Sequence, residues 1–147
     1  MLEKQARDFA PYREAVRVSE GATMEEMVAA FTGHPRHHHL CMVDGEERLV
    51  GLVNRKRLFK TVFSQHNPQI SHLVQQYQML TSDRSGDLVL RHFVALPEDA
   101  TVEAVVTALI KHNLNEIPIV DDDHQVLGFL TVGQILETWF QREEADR

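Results

Sequence analysis

The chain has 147 residues, a formal net charge of −7, and 43% hydrophobic and 25% charged residues. That length fits one compact domain or two small interlocked ones, and the composition is ordinary for a globular protein. The negative charge argues against a sequence-independent grip on nucleic acid, and no apolar run approaches the ~20 residues of a membrane helix.

The start, Met1–Ala10, is charged and lacks an apolar core, so it does not read as a secretory signal. Leu2–Ala10 reads as a short helix leading to an extended run, Ala15–Val18. Thr23-Met24-Glu25-Glu26 has the Thr-x-x-Glu form of a capping box, which predicts a helix from Thr23 to about Gly33, before Pro35. Its apolar face is Met24, Met27, Val28 and Phe31. Strand-like Leu40–Val43 then leads through Asp44-Gly45-Glu46-Glu47 to Leu49–Val53, the hairpin pattern of two apolar runs around a glycine turn. Asn54 is placed to cap a helix reaching Ser64. Cys41, the single cysteine, reads as a small core residue in a reducing, cytoplasmic setting.

Asn67-Pro68 resembles an N-cap followed by proline at the first helical position. Ile70, Leu73, Val74 and Tyr77 follow at helical spacing, so an inserted amphipathic helix is expected, then a polar loop over Thr81–Gly86. Asp87–Leu90 reads as a helical turn mirroring Arg7–Ala10, and His92–Leu96 as the counterpart of Ala15–Val18. Thr101 opens a helix with Val102, Val105, Val106, Leu109 and Ile110 on one face. Two apolar runs, Ile117–Asp121 and Val126–Leu130, flank the turn Asp121–His124, and a closing helix follows.

The second half therefore repeats the first about 77 residues on. Leu58, Phe59, Val62 and Phe63 of one closing helix fall on Ile135, Leu136, Trp139 and Phe140 of the other, and Gly51 falls on Gly128. Each copy is strand, helix, strand, strand, helix, in an α/β (α+β) chain. The expected division is a first repeat over 1–65, an inserted helix and linker over 66–86, and a second repeat over 87–147. Units too small to bury their own core pack on each other. The charge is uneven: residues 1–65 hold 10 Lys/Arg and 9 Asp/Glu, residues 66–147 hold 5 and 13. An anion site is more plausible in the first copy.

The Asp99-Ala100-Thr101 start, Ile117-Pro118-Ile119-Val120-Asp121 and Gly128-Phe129-Leu130-Thr131 resemble the CBS domain, which occurs in tandem pairs called Bateman modules. The first copy is more diverged, with Cys41 where the family usually has proline. The resemblance implies two CBS repeats packed with approximate two-fold symmetry, and a stand-alone regulatory protein rather than an enzyme. It implies no obligatory cofactor, but regulatory adenosine-type ligands, AMP, ADP, ATP or S-adenosylmethionine, in clefts between the copies. It further implies dimerisation through helices. A homodimer through the closing helices and a regulated partner protein are expected, with neither nucleic acid nor membrane.

A strand running into a helix start leaves unpaired backbone N–H groups and partial positive charge, which stabilise phosphate. The second copy offers Thr131 and Gln134 there, the first Asn54, Arg55, Lys56 and Arg57. Adenine would lie against the Ala95–Leu96 and Asn115–Pro118 segments, chiefly Leu96, Asn115, Ile117 and Pro118, or against Val16–Val18 and His38–Cys41, chiefly Val18 and His39. In the family a carboxylate three residues after the Thr usually grips ribose. Gln134 both donates and accepts toward a diol, whereas Arg57 only donates. The competing expectation is a ligand-free interaction or scaffold module with decayed clefts. His37-His38-His39, near His34, matches no structural zinc spacing, and on a strand only His37 and His39 would share a face, so no metal is expected. No nucleophile elbow, Walker loop or His-Glu-x-x-His is present.

Overall fold

A computed structural model describes residues 1–81 and 88–146. The chain divides into two compact units, and they do not follow the repeats. One comprises Val16–Gly45 and Val50–Phe93; the other comprises Met1–Ala15, Glu46–Leu49 and Val94–Arg147.

In the unit built on the first repeat, β1 (Arg17–Ser19), β2 (His39–Val43), β3 (Leu49–Asn54) and β4 (Val89–Leu90) form one sheet in that order. β1 runs parallel to β2, with Arg17 opposite Cys41 and Ser19 opposite Val43. The parallel step requires a crossover, which α1 (Met24–Gly33) supplies. Thr23 starts that helix as the sequence predicts: its side chain accepts from the Glu26 N–H at 3.1 Å. Met27 and Phe31 turn inward and join Leu40, Met42, Val53 and Leu58 in the core. β2 is apolar on both faces and almost wholly buried, which fits a strand covered by helices. Cys41 is fully buried.

α2 (Arg55–His66) follows β3 directly, and α3 (Pro68–Thr81) packs against α2. Asn67 caps α3, its Oδ1 accepting from the Gln69 and Ile70 N–H groups at 2.9 and 3.3 Å. α3 therefore includes Thr81, where a loop was expected to begin. The rest of that expected loop, and Asp87, lie outside the described residues. Val89–Leu90, expected as a helical turn, is instead the strand β4, antiparallel to β3 with Leu52 opposite Leu90.

In the other unit, β5 (Leu96–Pro97), β6 (Glu116–Val120) and β7 (Val126–Thr131) form a three-stranded sheet. β5 is parallel to β6 across the crossover helix α4 (Val102–Lys111), and β6 is antiparallel to β7 through the Asp121–His124 turn. Asp121 closes that turn, its Oδ1 accepting from the N–H groups of Asp123 and Gln125 at 2.9 Å each. Ala6, Val105, Leu109, Ile117, Ile119 and Leu130 form the core. α5 (Val132–Ala145) closes the chain.

The first fifteen residues belong to this second unit. Only Ala6–Phe9 is helical, as one 3₁₀ turn, shorter than the helix expected over Leu2–Ala10. Beyond it Arg13 pairs with Phe129 of β7 in both directions, at 3.0 and 2.8 Å. The 77-residue shift carries this pair onto Leu90 and Leu52, the pairing of β4 with β3. Each short segment thus completes the sheet of the other repeat. A glycine lies under each crossing. A Cβ on Gly128 would stand 2.6 Å from the Tyr12 Cβ and 2.7 Å from the Arg13 carbonyl oxygen; one on Gly51 would stand 2.5 Å from Val89 Cγ1.

Candidate functional site

The polar groups of the first repeat gather where β3 becomes α2. The backbone switches from extended to helical at Asn54, so the first N–H groups of α2 need partners outside the helix. The Arg55 N–H donates to the His38 carbonyl at 2.9 Å, and the Arg57 N–H to Asn54 Oδ1 at 3.1 Å. With Oδ1 so engaged, the Asn54 amide must turn its Nδ2 toward His39, where it lies 3.3 Å from Nε2. The amide nitrogen can only donate, so in this contact Nε2 is the accepting atom. The Arg55 guanidinium donates to the Pro35 carbonyl and lies 3.3 Å from His38 Nδ1. The loop before β2 is thereby tied to the start of α2.

Beside this junction lies a cavity of about 430 Å³ lined by His38, Asn54, Arg55, Lys56 and Phe59. None of its lining side chains is a carboxylate. Lys56 Nζ sits 5.2 Å from the ring centroid of Phe59, a residue that is 55% exposed. The wall thus combines two cations, an amide, an imidazole and an open aromatic face. Cations at a helix N-terminus oppose the helix dipole, so an anion there would relieve the strain that α2 carries alone.

The second repeat uses the same backbone device with different side chains. The Val132 N–H donates to the Asn115 carbonyl at 3.0 Å, the counterpart of Arg55 and His38. Here, however, the cap is closed on itself. Thr131 Oγ1 accepts from the Gln134 N–H at 3.1 Å, and Gln134 Oε1 accepts from the Thr131 N–H at 3.0 Å and faces its hydroxyl at 3.3 Å. The oxygen that the sequence offers to a ribose diol is already held within the helix start. Only the amide nitrogen of Gln134 remains for a ligand.

The other expected site residues divide between the two units. Val18 lies opposite Met42 in β1 and packs on the first core, while Leu96 lies opposite Ile119 and packs on the second. Ile117 and Pro118 are fully buried. Asn115 is exposed. Arg57 stands in the first turn of α2 but is not among the cavity-lining residues. His38 opens the expected His38–Cys41 segment, and Phe59 is the lining residue absent from the expected set. Phe59 stands three residues after Lys56, on one helix face, and that spacing was the available signal.

Among the described residues no three His, Cys, Asp or Glu side chains come together as a set that could hold a metal ion. β2 begins at His39, so His37 lies in the preceding loop and the strand alternation expected for the two does not apply. The His37 ring meets that of His34 edge-on, with centroids 5.4 Å apart.

The model of the CBS domain matches residues 6–64 and 86–139, more than half of the chain. The chain belongs to the CBS domain family. The CBS domain-containing protein TM0935 of Thermotoga maritima has a TM-score of 0.69 at 20% identity, covering 96% of this chain and 97% of that one. The CBS domain pair of protein MJ0100, solved with 5′-methylthioadenosine and S-adenosyl-L-methionine, has a TM-score of 0.66 at 18% identity, covering 95% and 98%. CBSX2, solved with AMP, has a TM-score of 0.66 at 19% identity over 95% and 98%. Protein MJ1426 of Methanocaldococcus jannaschii is 19% identical over 117 residues, 65% of this chain and 69% of its own length. At such identities the likeness establishes the fold: a CBS pair with two small sheets, each covered by helices. No helix among the described residues is long and apolar enough to cross a membrane.

Proposed function

We propose that this CBS pair is a regulatory module that binds a phosphorylated, adenosine-type ligand at the start of α2, once per chain, and acts on a partner protein rather than as a catalyst. The observation that carries the reading is the cation-lined cavity of about 430 Å³ beside an exposed aromatic ring. Phosphate would take the Arg55 and Lys56 side chains, with Asn54, Arg57 and His39 shaping the turn around them. A purine would lie against Phe59. Relatives of the same fold solved with AMP and with S-adenosyl-L-methionine support the ligand class. The module is proposed to work in the cytoplasm.

A second reading is favoured by one observation. The closed Thr131–Gln134 cap suits a repeat that has given up its ligand, and a pair in which both sites had done so would be a scaffold. A thermal-shift and calorimetric series with AMP, ADP, ATP and S-adenosylmethionine separates the two. A ligand at ~100 times its dissociation constant adds about 2.7 kcal/mol of stability. Lys56→Ala should weaken phosphate binding by about 1–3 kcal/mol, the worth of a charge-assisted hydrogen bond, and added salt should weaken it further. Thr131→Ala should leave it unchanged. Binding lost in Thr131→Ala and kept in Lys56→Ala would place the site in the second repeat; no shift with any ligand would favour the scaffold.

A further inference from the structure

The loop that enters β2 sets an imidazole against a guanidinium. Arg55 donates to the Pro35 carbonyl, and its other terminal nitrogen lies 3.3 Å from His38 Nδ1. A guanidinium only donates, so in this contact Nδ1 is the accepting atom and carries no proton. Both side chains line the cavity at the start of α2. The contact thus occupies an Arg55 N–H group that an anion in the cavity could use, and it does so only while His38 is neutral.

The charges around His38 have one sign. α2 contributes Arg55 and Lys56 to the cavity wall, and the end of β3 contributes the neutral Asn54. Along its own loop His38 follows Arg36 and His37 and precedes His39. The His37 ring meets His34 edge-on, and His39 Nε2 faces Asn54 Nδ2 at 3.3 Å. No carboxylate is among the cavity-lining residues.

Imidazole is the side chain whose charge changes between about pH 5 and 8. His38 is exposed, so a proton can reach it from solvent. The protonated ring has a donor at each nitrogen and no acceptor. It can no longer receive the Arg55 N–H. It can donate to a phosphate oxygen instead, and so can the Arg55 nitrogen it has released. Charge-assisted hydrogen bonds of this kind are stronger than neutral ones.

We infer that His38 makes the anion site of α2 proton-linked: a phosphate group binds with uptake of a proton from solvent on His38, and Arg55 turns one N–H from His38 to the anion. The inference rests on the phosphate site proposed above and adds its regulation. The bound state holds more protons than the free one, so affinity rises as pH falls through the imidazole range. The module then responds to acidification as well as to its ligand.

The test is calorimetric titration of AMP into the full chain at about pH 6 and about pH 8, at constant ionic strength. The AMP phosphate changes its own charge in that range, equally for every variant. The readout is therefore the ratio of the two dissociation constants, compared between wild type and variants. Wild type should favour low pH by about threefold to tenfold more than His38→Gln, within the limit of about tenfold per pH unit that one proton allows. His38→Lys, charged at both pH values, should show the ratio of His38→Gln with tighter binding. His39→Gln should keep the wild-type ratio whatever its affinity, which separates the two neighbouring rings. Equal ratios in wild type and in either His38 variant, with AMP still bound, would overturn the inference and leave the phosphate site standing. A ratio that collapses in His39→Gln and survives in the His38 variants would overturn it too. No binding of AMP to wild type at either pH would overturn it together with the reading it rests on.

Discussion

Gly128→Ala should be among the most damaging single substitutions in this protein. The residue has φ +154, a region L side chains rarely enter, and its Cβ would stand 2.6 Å from the Tyr12 Cβ and 2.7 Å from the Arg13 carbonyl oxygen. Ordinary carbon contacts begin at about 3.5 Å. Backbone strain of this kind costs about 1–3 kcal/mol, and overpacking against atoms that cannot rotate away costs about 1–3 kcal/mol more. Relief requires the chain at Tyr12–Arg13 to lift off β7, which breaks the two backbone hydrogen bonds between Arg13 and Phe129. The expected loss is about 3–5 kcal/mol, a large part of a typical domain stability of about 5–15 kcal/mol. Gly51→Ala should be milder, about 1–2 kcal/mol, because its hard contact is Val89 Cγ1, the end of a side chain. Val89→Ala in the same chain should remove much of that cost, a non-additivity expected of touching residues. Urea unfolding measures these three variants and Val89→Ala alone, and limited proteolysis should find the 10–15 segment newly cleavable in Gly128→Ala. A loss below about 1 kcal/mol in Gly128→Ala, or equal losses at the two glycines, would refute the account of how the short segments cross the sheets.

Tyr12 donates to Glu98 Oε1 at 2.9 Å, and burial first, then that hydrogen bond, pushes its phenol from 10.0 up to about 12. Because the folded value is the higher one, this contribution is present below pH ~10 and is lost as pH rises toward ~12; the alkaline fall in stability should be shallower in Tyr12→Phe, as read from urea melts between those values. Asn54→Ala should cost about 1–2 kcal/mol, since it uncaps α2 and also releases His39, whereas Gln134→Ala should cost about 1 kcal/mol or less because Thr131 still caps α5; chemical denaturation compares them. Replacing residues 67–80 by a short linker should lower stability, because α3 packs against α2, and an unchanged melting curve would remove any structural role for the inserted helix.

Much of this architecture was readable in the residues because the decisive signals are local. Thr23, Asn54, Asn67, Thr101 and Thr131 each begin a helix, and each has the side chain that an N-terminus needs. The exchange of short segments was not readable. Arg13 finds Phe129 more than a hundred residues away, through two backbone bonds that any residue pair can make. A two-residue strand such as Val89–Leu90 has no periodicity to detect. At the candidate site, Asn54, Arg55 and Lys56 were legible as cations and a cap at a helix start. Phe59 was legible only as an apolar residue, because sequence spacing does not say whether a ring faces a core, a partner or a cavity. Gln134 admits two readings, a diol partner or the last member of a Thr-x-x-Gln box, and the structure shows the second hydrogen-bond pattern.

The two repeats show how one backbone device accepts opposite chemistry. In both, the first N–H of the closing helix donates to the carbonyl before the inner strand, Arg55 to His38 and Val132 to Asn115. That bond fixes where the helix begins and is indifferent to the side chains around it. Thr131 and Gln134 then satisfy each other, which stabilises α5 and takes an acceptor out of play. Asn54 cannot do the same, because the residue three positions on is Arg57, which has no acceptor to return. Its second polar atom turns to His39 instead, and Arg55 and Lys56 line a cavity that has no carboxylate among its lining residues. The better-satisfied helix start is therefore the poorer candidate for binding. The less satisfied one, which opposes its own helix dipole, has the more to gain from an anion.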